Sequence, residues 1–218
     1  MRRLIVLRPE PGASRTVERA RALGLEAISL PLFRIEPIDW RAPDAGVFDA
    51  LLLTSANAAR QAGSQLTRLS GLPVYAVGEA TAEAARETGL DVAAAGPGRV
   101  DDLLAGMPPE LRLLHLCGED RRVPTNPAQE IVTVPVYRAV PLPASPAGFH
   151  GSVLAVHSPR AGQRLEEITP AAVRPTIRVA AISDAAAEAV GEGWESVESA
   201  PMPNDPALLA LAARLCDK

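Results

Sequence analysis

The octapeptide LPLFRIEP at residues 30–37 recurs, about a hundred positions later, as VPVYRAVP at 134–141. Pro31, Phe33, Arg34 and Pro37 align with Pro135, Tyr137, Arg138 and Pro141. Two further blocks repeat in the same order and at nearly the same spacing. LLLTSANAARQ (51–61) aligns with LAVHSPRAGQR (154–164), and AVGEATAEAA (76–85) with AISDAAAEAV (181–190). Three blocks in one order at one spacing point to a single folding unit written twice, which constrains the architecture more than any composition figure does.

The unit is of α/β type. Short apolar, β-branched runs at 3–7, 26–30, 50–54, 73–77, 90–95, 111–116, 130–134, 152–156, 177–182 and 195–199 read as strands. Ala- and Arg-rich stretches at 14–24, 57–71, 79–89, 160–168, 184–191 and 205–216 read as helices between them. Ser14 is placed to cap the first and Gly24 to stop it; Gly71 closes the second, and Asn204 or Asp205 caps the last. Strands with near-continuous apolar runs alternating with helices predict parallel sheets covered on both faces. Pro124 and Pro127 keep any helix in 119–129 short.

Each copy of the repeated phrase lies between a strand and the next strand–helix unit, and its prolines hold it extended. Extended, proline-flanked segments serve as semi-rigid connections. Two arrangements satisfy the pattern. Residues 1–104 and 105–218 can fold independently, or the chain can cross at the first phrase and return at the second. In the crossed arrangement one domain is 1–33 plus 142–218, the other is 38–134, and 34–37 and 135–141 are paired linker strands. Periodicity leaves both open.

Composition narrows the partners. With 218 residues and 47% apolar content the chain can build two small cores, but aromatics are only 3%, so those cores rest on Ala, Val, Leu and Ile. A net charge of -4 argues against nucleic acid. Two cysteines, Cys117 and Cys216, fit a reducing compartment and with three histidines make no metal-binding spacing. The start MRRLIVLRPEPG has too short an apolar run before Arg8-Pro9 for a signal peptide, and no run is long enough to span a membrane. A cytoplasmic protein is expected.

In open α/β sheets ligands bind beyond the carboxyl ends of the strands. Arg8, Ser55, Asn57, Gly78, Thr81, Gly118, Arg121, Ser158, Arg160 and Ser183 follow predicted strands, several of them opening helices. Helix N-termini offer free N–H groups and a positive dipole end, so two domains each carrying such a row describe a cleft for a polyanion. There is no GxGxxG, no phosphate loop and no GxSxG elbow.

TSANAAR, VGEATAEAA, VPVYR and HSPRAG together resemble the uroporphyrinogen-III synthase family over essentially the whole chain. The resemblance implies the crossed arrangement: two flavodoxin-like domains joined by a two-stranded ladder, with the site in the cleft between them. It implies cyclisation of hydroxymethylbilane, a linear tetrapyrrole polycarboxylate, to uroporphyrinogen III with loss of water and inversion of ring D, without cofactor or metal. It further implies a monomer, with at most transient contact with hydroxymethylbilane synthase. Tyr137 matches the family's cleft tyrosine, and Ser55, Thr81 and Ser158 match hydroxyls lining the cleft. The second-half counterpart of VGEATA departs from the pattern, with Ser183 in place of the glycine and Ala186 in place of the threonine. That departure keeps a second reading in view, a non-catalytic two-lobed binding or regulatory module for an acidic small molecule.

Overall fold

The computed structural model describes residues 1–96, 98–121 and 123–217. The chain begins with β1 (Leu4–Val6), α1 (Gly12–Ala22), β2 (Ala27–Ser29) and β3 (Phe33–Pro37). It continues through β4 (Ala50–Leu53), α2 (Ala56–Gln61), β5 (Val74–Ala76), α3 (Glu79–Glu87), β6 (Val92–Ala95), α4 (Val100–Ala105), β7 (Arg112–Gly118) and β8 (Glu130–Pro141). It ends with β9 (Val153–Val156), α5 (Pro159–Ile168), β10 (Arg178–Ala181), α6 (Asp184–Glu188), β11 (Ser196–Ser199) and α7 (Asp205–Asp217).

These elements fall into two compact units, Met1–Arg34 with Pro141–Lys218, and Ile35–Val140. In the first, five parallel strands are ordered β2-β1-β9-β10-β11. Apolar side chains of β1, β9 and β10 pack against α1 and α7, with Leu4, Val6, Val153, Leu208 and Leu215 among the fully buried ones. In the second, β8-β7-β4-β5-β6 are likewise parallel, with β3 added at the edge. Leu51 to Leu53 are wholly buried there, as expected of a central strand covered on both faces.

The two sheets share one order. In chain sequence the first unit is the doubly wound order 2-1-3-4-5 of flavodoxin-like folds. The second reaches the same order by circular permutation, β7, β8, β4, β5 and β6 taking the places of β1, β2, β9, β10 and β11. The α/β fold with two parallel-dominated sheets expected from the sequence is thus the one present.

Several local expectations need correction. Helix α1 starts at Gly12, so Ser14 is inside it rather than capping it; its N–H donates to Glu10 Oε2 at 3.0 Å. The helix expected over 57–71 ends at Gln61, and a 3-10 stretch, Gly63–Leu69, follows because Gly63 turns the chain with φ +64°. Helix α4 was not expected at all. Residues 135–141 are not a separate linker strand but continue β8 from Glu130. Pro135, which has no N–H to give, sits where the β7–β8 register shifts: Cys117 faces Pro135, but Gly118 faces Tyr137. Beyond the bulge, Ile38 N donates to Val136 O, and Leu142 N to Leu32 O, so β3 and the end of β8 run antiparallel. Among the described residues of 119–129 there is no helix, and none anywhere in the described chain is long and apolar enough to cross a membrane.

Candidate active site

The doubly wound order reverses direction at one place in each sheet, between β1 and β9 in the first unit and between β7 and β4 in the second. Groups at the carboxyl ends flanking that reversal are the natural ligand-facing set.

In the first unit these are Arg8, Ser158 and Arg160, with Ser183 one strand further on. Ser158 caps α5, its Oγ accepting from Ala161 N at 3.2 Å. Arg160, in the first turn of α5, stacks its guanidinium 4.8 Å from the centroid of the buried Phe33 ring. Ser183 caps α6 and accepts from Ala186 N at 3.4 Å. Arg8 is tied down: its Nη1 lies 3.4 Å from Thr16 Oγ1, to which it donates, and 3.6 Å from Asp205 Oδ1. Asp205 also accepts from Thr16 Oγ1, Arg19 Nη1 and His157 Nε2. Burial alone would raise the Asp205 carboxyl. The hydrogen bonds of His157, Arg19 and Thr16 outweigh it and hold the group well below the usual carboxylate range. Arg8 thus lies at the strand end as expected, but with part of its charge spent on Asp205.

The second unit holds a pocket of about 240 Å³ lined by Thr54, Ser55, Arg99, Asp120, Arg121 and Tyr137, among others. Ser55 caps α2, accepting from Asn57 N at 3.2 Å, and is hydrogen-bonded to the Tyr137 phenol. Burial raises the phenol's pKa above the ordinary tyrosine value, and the bond with Ser55 only partly opposes this. Gly118 ends β7 directly beneath the ring, where a Cβ would meet Tyr137 Cζ at 2.8 Å and Oη at 3.0 Å. Behind the pocket, Thr54 Oγ1 lies 3.0 Å from Nε2 of the buried His115. Burial, helped by the positive charge of Arg121, pushes that imidazole down to about 4, so it is neutral near pH 7.

The remaining expected residues do different work. Gly78 caps α3 with φ +83° and ψ 154°, a conformation essentially reserved for glycine. Thr81, in the first turn of α3, is only 5% exposed, so little of it reaches the surface. Its counterpart Ala186 is fully buried. Asn57 contributes its backbone N–H to the cap. The sequence reading missed Arg99, which precedes the unexpected helix α4, and Asp120, which lies just past the end of β7. The only signal for Arg99 was an arginine following the glycines of AGPGR. Among the described residues no cluster of His, Cys, Asp and Glu is placed to hold a metal ion.

Two doubly wound units of one topology, with capped helix starts, arginines and a phenol at their strand ends, define a flavodoxin-like α/β protein equipped for an acidic small molecule. The family model of uroporphyrinogen-III synthase HemD matches residues 14–210, and the chain belongs to that family, whose members cyclise hydroxymethylbilane. The fold agrees. The crystal structure of uroporphyrinogen-III synthetase from Helicobacter pylori superposes with a TM-score of 0.68 at 17% identity, covering 99% of this chain and 100% of that one. A mutant uroporphyrinogen III synthase from Thermus thermophilus gives 0.56 at 19% identity, with the same coverage. No curated protein is matched by the sequence.

Proposed function

We propose that Tyr137 is the proton donor of the cyclisation and that the strand-end arginines and capped helix starts hold the substrate's carboxylates. The observation that carries this reading is the phenol itself, bonded to Ser55 in the second unit's pocket, whose lining also includes Arg99 and Arg121. Loss of hydroxide from the hydroxymethyl group, pushed by the adjacent pyrrole nitrogen, leaves an electrophilic azafulvene. A neutral phenol, even one with its pKa raised, is still a far stronger acid than the water it forms by protonating the departing oxygen. Attack through the substituted carbon of ring D gives a spiro intermediate; the bond from that carbon to the methylene bridging ring C then breaks, and the released methylene bonds to the free α-carbon of ring D, closing the macrocycle with ring D inverted. The proton that the ring carbon sheds at rearomatisation returns to the phenolate, so the neutral phenol is restored and one water is released.

Arg99 and Arg121 suit acetate or propionate groups near the reacting ring, since guanidinium forks match carboxylates. In the first unit, Arg160 on its aromatic platform and the Ser158 cap suit carboxylates by the same chemistry. Uncatalysed closure gives the symmetric isomer I, so much of the task is holding a reactive conformer away from water. The two cysteines, both buried and unpaired, support a reducing cytoplasmic setting, and we read the enzyme as a monomer that meets hydroxymethylbilane synthase at most transiently.

The test is an assay coupled to porphobilinogen and its deaminase, followed by chromatography of the oxidised porphyrins. Isomer III is expected with the intact protein, and Tyr137→Phe should lower kcat on the order of 10²-fold or more while leaving the fold intact. Isomer I alone, with or without the protein, would exclude the activity. An undiminished rate for Tyr137→Phe would remove the phenol as donor.

A further inference from the structure

We infer that Gly118 is a positioning residue: the missing side chain at the end of β7 is the seat on which the Tyr137 ring rests, and it fixes where the hydroxyl points. The inference deepens the role assigned to Tyr137 and rests on that reading for its catalytic consequence, though not for its geometry.

Three observations converge. First, a Cβ at position 118 would stand 2.8 Å from Tyr137 Cζ, 2.9 Å from Cε2 and 3.0 Å from Oη. The first two separations lie well inside carbon–carbon contact, and they fall on the end of the ring that carries the hydroxyl. Second, the backbone does not demand glycine: the positive-φ glycines are elsewhere, at Gly78 and Gly98 for example. What position 118 needs is space, and the group that takes the space is Tyr137. Third, the register shift brings the two residues face to face. Cys117 still pairs with Pro135, so without the bulge Gly118 would face Val136, whose side chain is buried in the core. The extra residue puts Tyr137 opposite the glycine, and Glu119 N locks the register by donating to Tyr137 O at 2.9 Å. Ser55 then meets the hydroxyl. Proline and bulge deliver the ring, glycine admits it, and serine aims it.

An alanine at 118 must therefore move the ring off its seat and disturb the hydroxyl's bond with Ser55. Gly118→Ala is expected to lower kcat by about 10- to 100-fold with little change in KM, because the carboxylate-holding groups are untouched. The same substitution in a Tyr137→Phe background should cost almost nothing further, since the hydroxyl it misplaces is already gone. A full additional loss in that background would overturn the inference.

A second readout does not depend on activity. The chain has two tyrosines, so Tyr75→Phe leaves the ultraviolet titration of Tyr137 alone. Gly118→Ala should shift this midpoint, because the ring's burial and its bond with Ser55 both change as it leaves its seat, whereas an unchanged midpoint in the folded variant refutes the positioning role. If Tyr137→Phe proves fully active, the proton-donor reading fails, yet this titration still decides the seating. Should Gly118→Ala not fold, Gly118→Ala with Tyr137→Ala is expected to fold, because the clashing ring is removed. Failure of the double variant as well would show that the backbone, and not the ring, requires glycine.

Discussion

The guanidinium of Arg160 lies face-on to Phe33, 4.8 Å from the ring centroid, in the unit where Phe33 occupies the place that Tyr137 holds in the other. The duplicated phrase delivers an aromatic to the same strand-end position twice. One copy bears a hydroxyl bonded to the cap serine of α2, and the other is a bare platform for an arginine in the first turn of α5. Duplication supplied two equal positions, and one oxygen atom separates a candidate proton donor from a candidate carboxylate clamp.

Phe33→Leu should accordingly weaken substrate binding more than it slows chemistry. Leucine keeps most of the buried bulk but offers no ring face, and a partly exposed cation–π contact is worth about 0.5–1 kcal/mol. KM should rise about two- to five-fold with kcat nearly unchanged. A fall in kcat at constant KM in steady-state kinetics would place Phe33 in the chemistry instead.

The sequence showed the repeat, the α/β class and the aromatic pair, because each is written in local pattern. It did not show the permutation, which exists only in the pairing of β7 with β4 and β8. Gly118 was legible as a strand-end residue, but the reason for it is a ring 19 positions away that arrives only through the bulge at Pro135. Arg8 read as a carboxylate binder, and its partner Asp205 comes from the far end of the chain. Thr81 read as a lining hydroxyl because a helix start was all the pattern could show, whereas the burial of that helix start, 5% exposed at Thr81, depends on packing.

Asp205 is expected to be a stability centre of the first unit. It accepts hydrogen bonds from Thr16, Arg19 and His157, and its carboxylate is 9% exposed. Asp205→Asn keeps the shape but removes the charge, and should cost about 2–4 kcal/mol in urea unfolding. The folded-state pKa is depressed, so this stabilisation is complete above the ordinary carboxylate value, starts to fall as pH drops below it and is gone only below the depressed folded-state value. The difference between wild type and variant should therefore shrink in acid. A difference constant down to pH 3 would contradict the linkage.

His115 should give the second unit an acid-sensitive limb of its own. Its imidazole titrates near 6.5 when unfolded and is pushed down to about 4 when folded, so between those values the unfolded chain binds the extra proton. Stability contributed by the neutral ring is complete above pH 6.5 and is lost as pH falls towards 4, by up to about 3 kcal/mol. His157 and Asp205 act over neighbouring ranges, so the comparison to make is wild type against His115→Gln. The glutamine can still bond Thr54 and does not titrate. Its unfolding free energy should fall less steeply between pH 7 and pH 5, and parallel curves would show that His115 is not buried neutral.

Gly78 and Ser183 occupy equivalent places after β5 and β10, yet they should respond oppositely to alanine. Gly78 holds φ +83° and ψ 154°, where any Cβ is strained, while Ser183 is extended at φ -159° and uses its side chain to cap α6. Gly78→Ala should cost about 1–3 kcal/mol from backbone strain and shift the start of α3, which adjoins Val77 of the Tyr137 pocket. Ser183→Ala should cost about 1 kcal/mol, the usual value of a lost cap, with no backbone change. Ser183→Gly should be milder still, since a glycine cap costs only a few tenths of a kcal/mol relative to serine. Chemical denaturation of the three variants tests the order. If Gly78→Ala were the mildest of them, the positive-φ requirement would be refuted, and with it the explanation of why the two copies diverged from glycine to serine at this position.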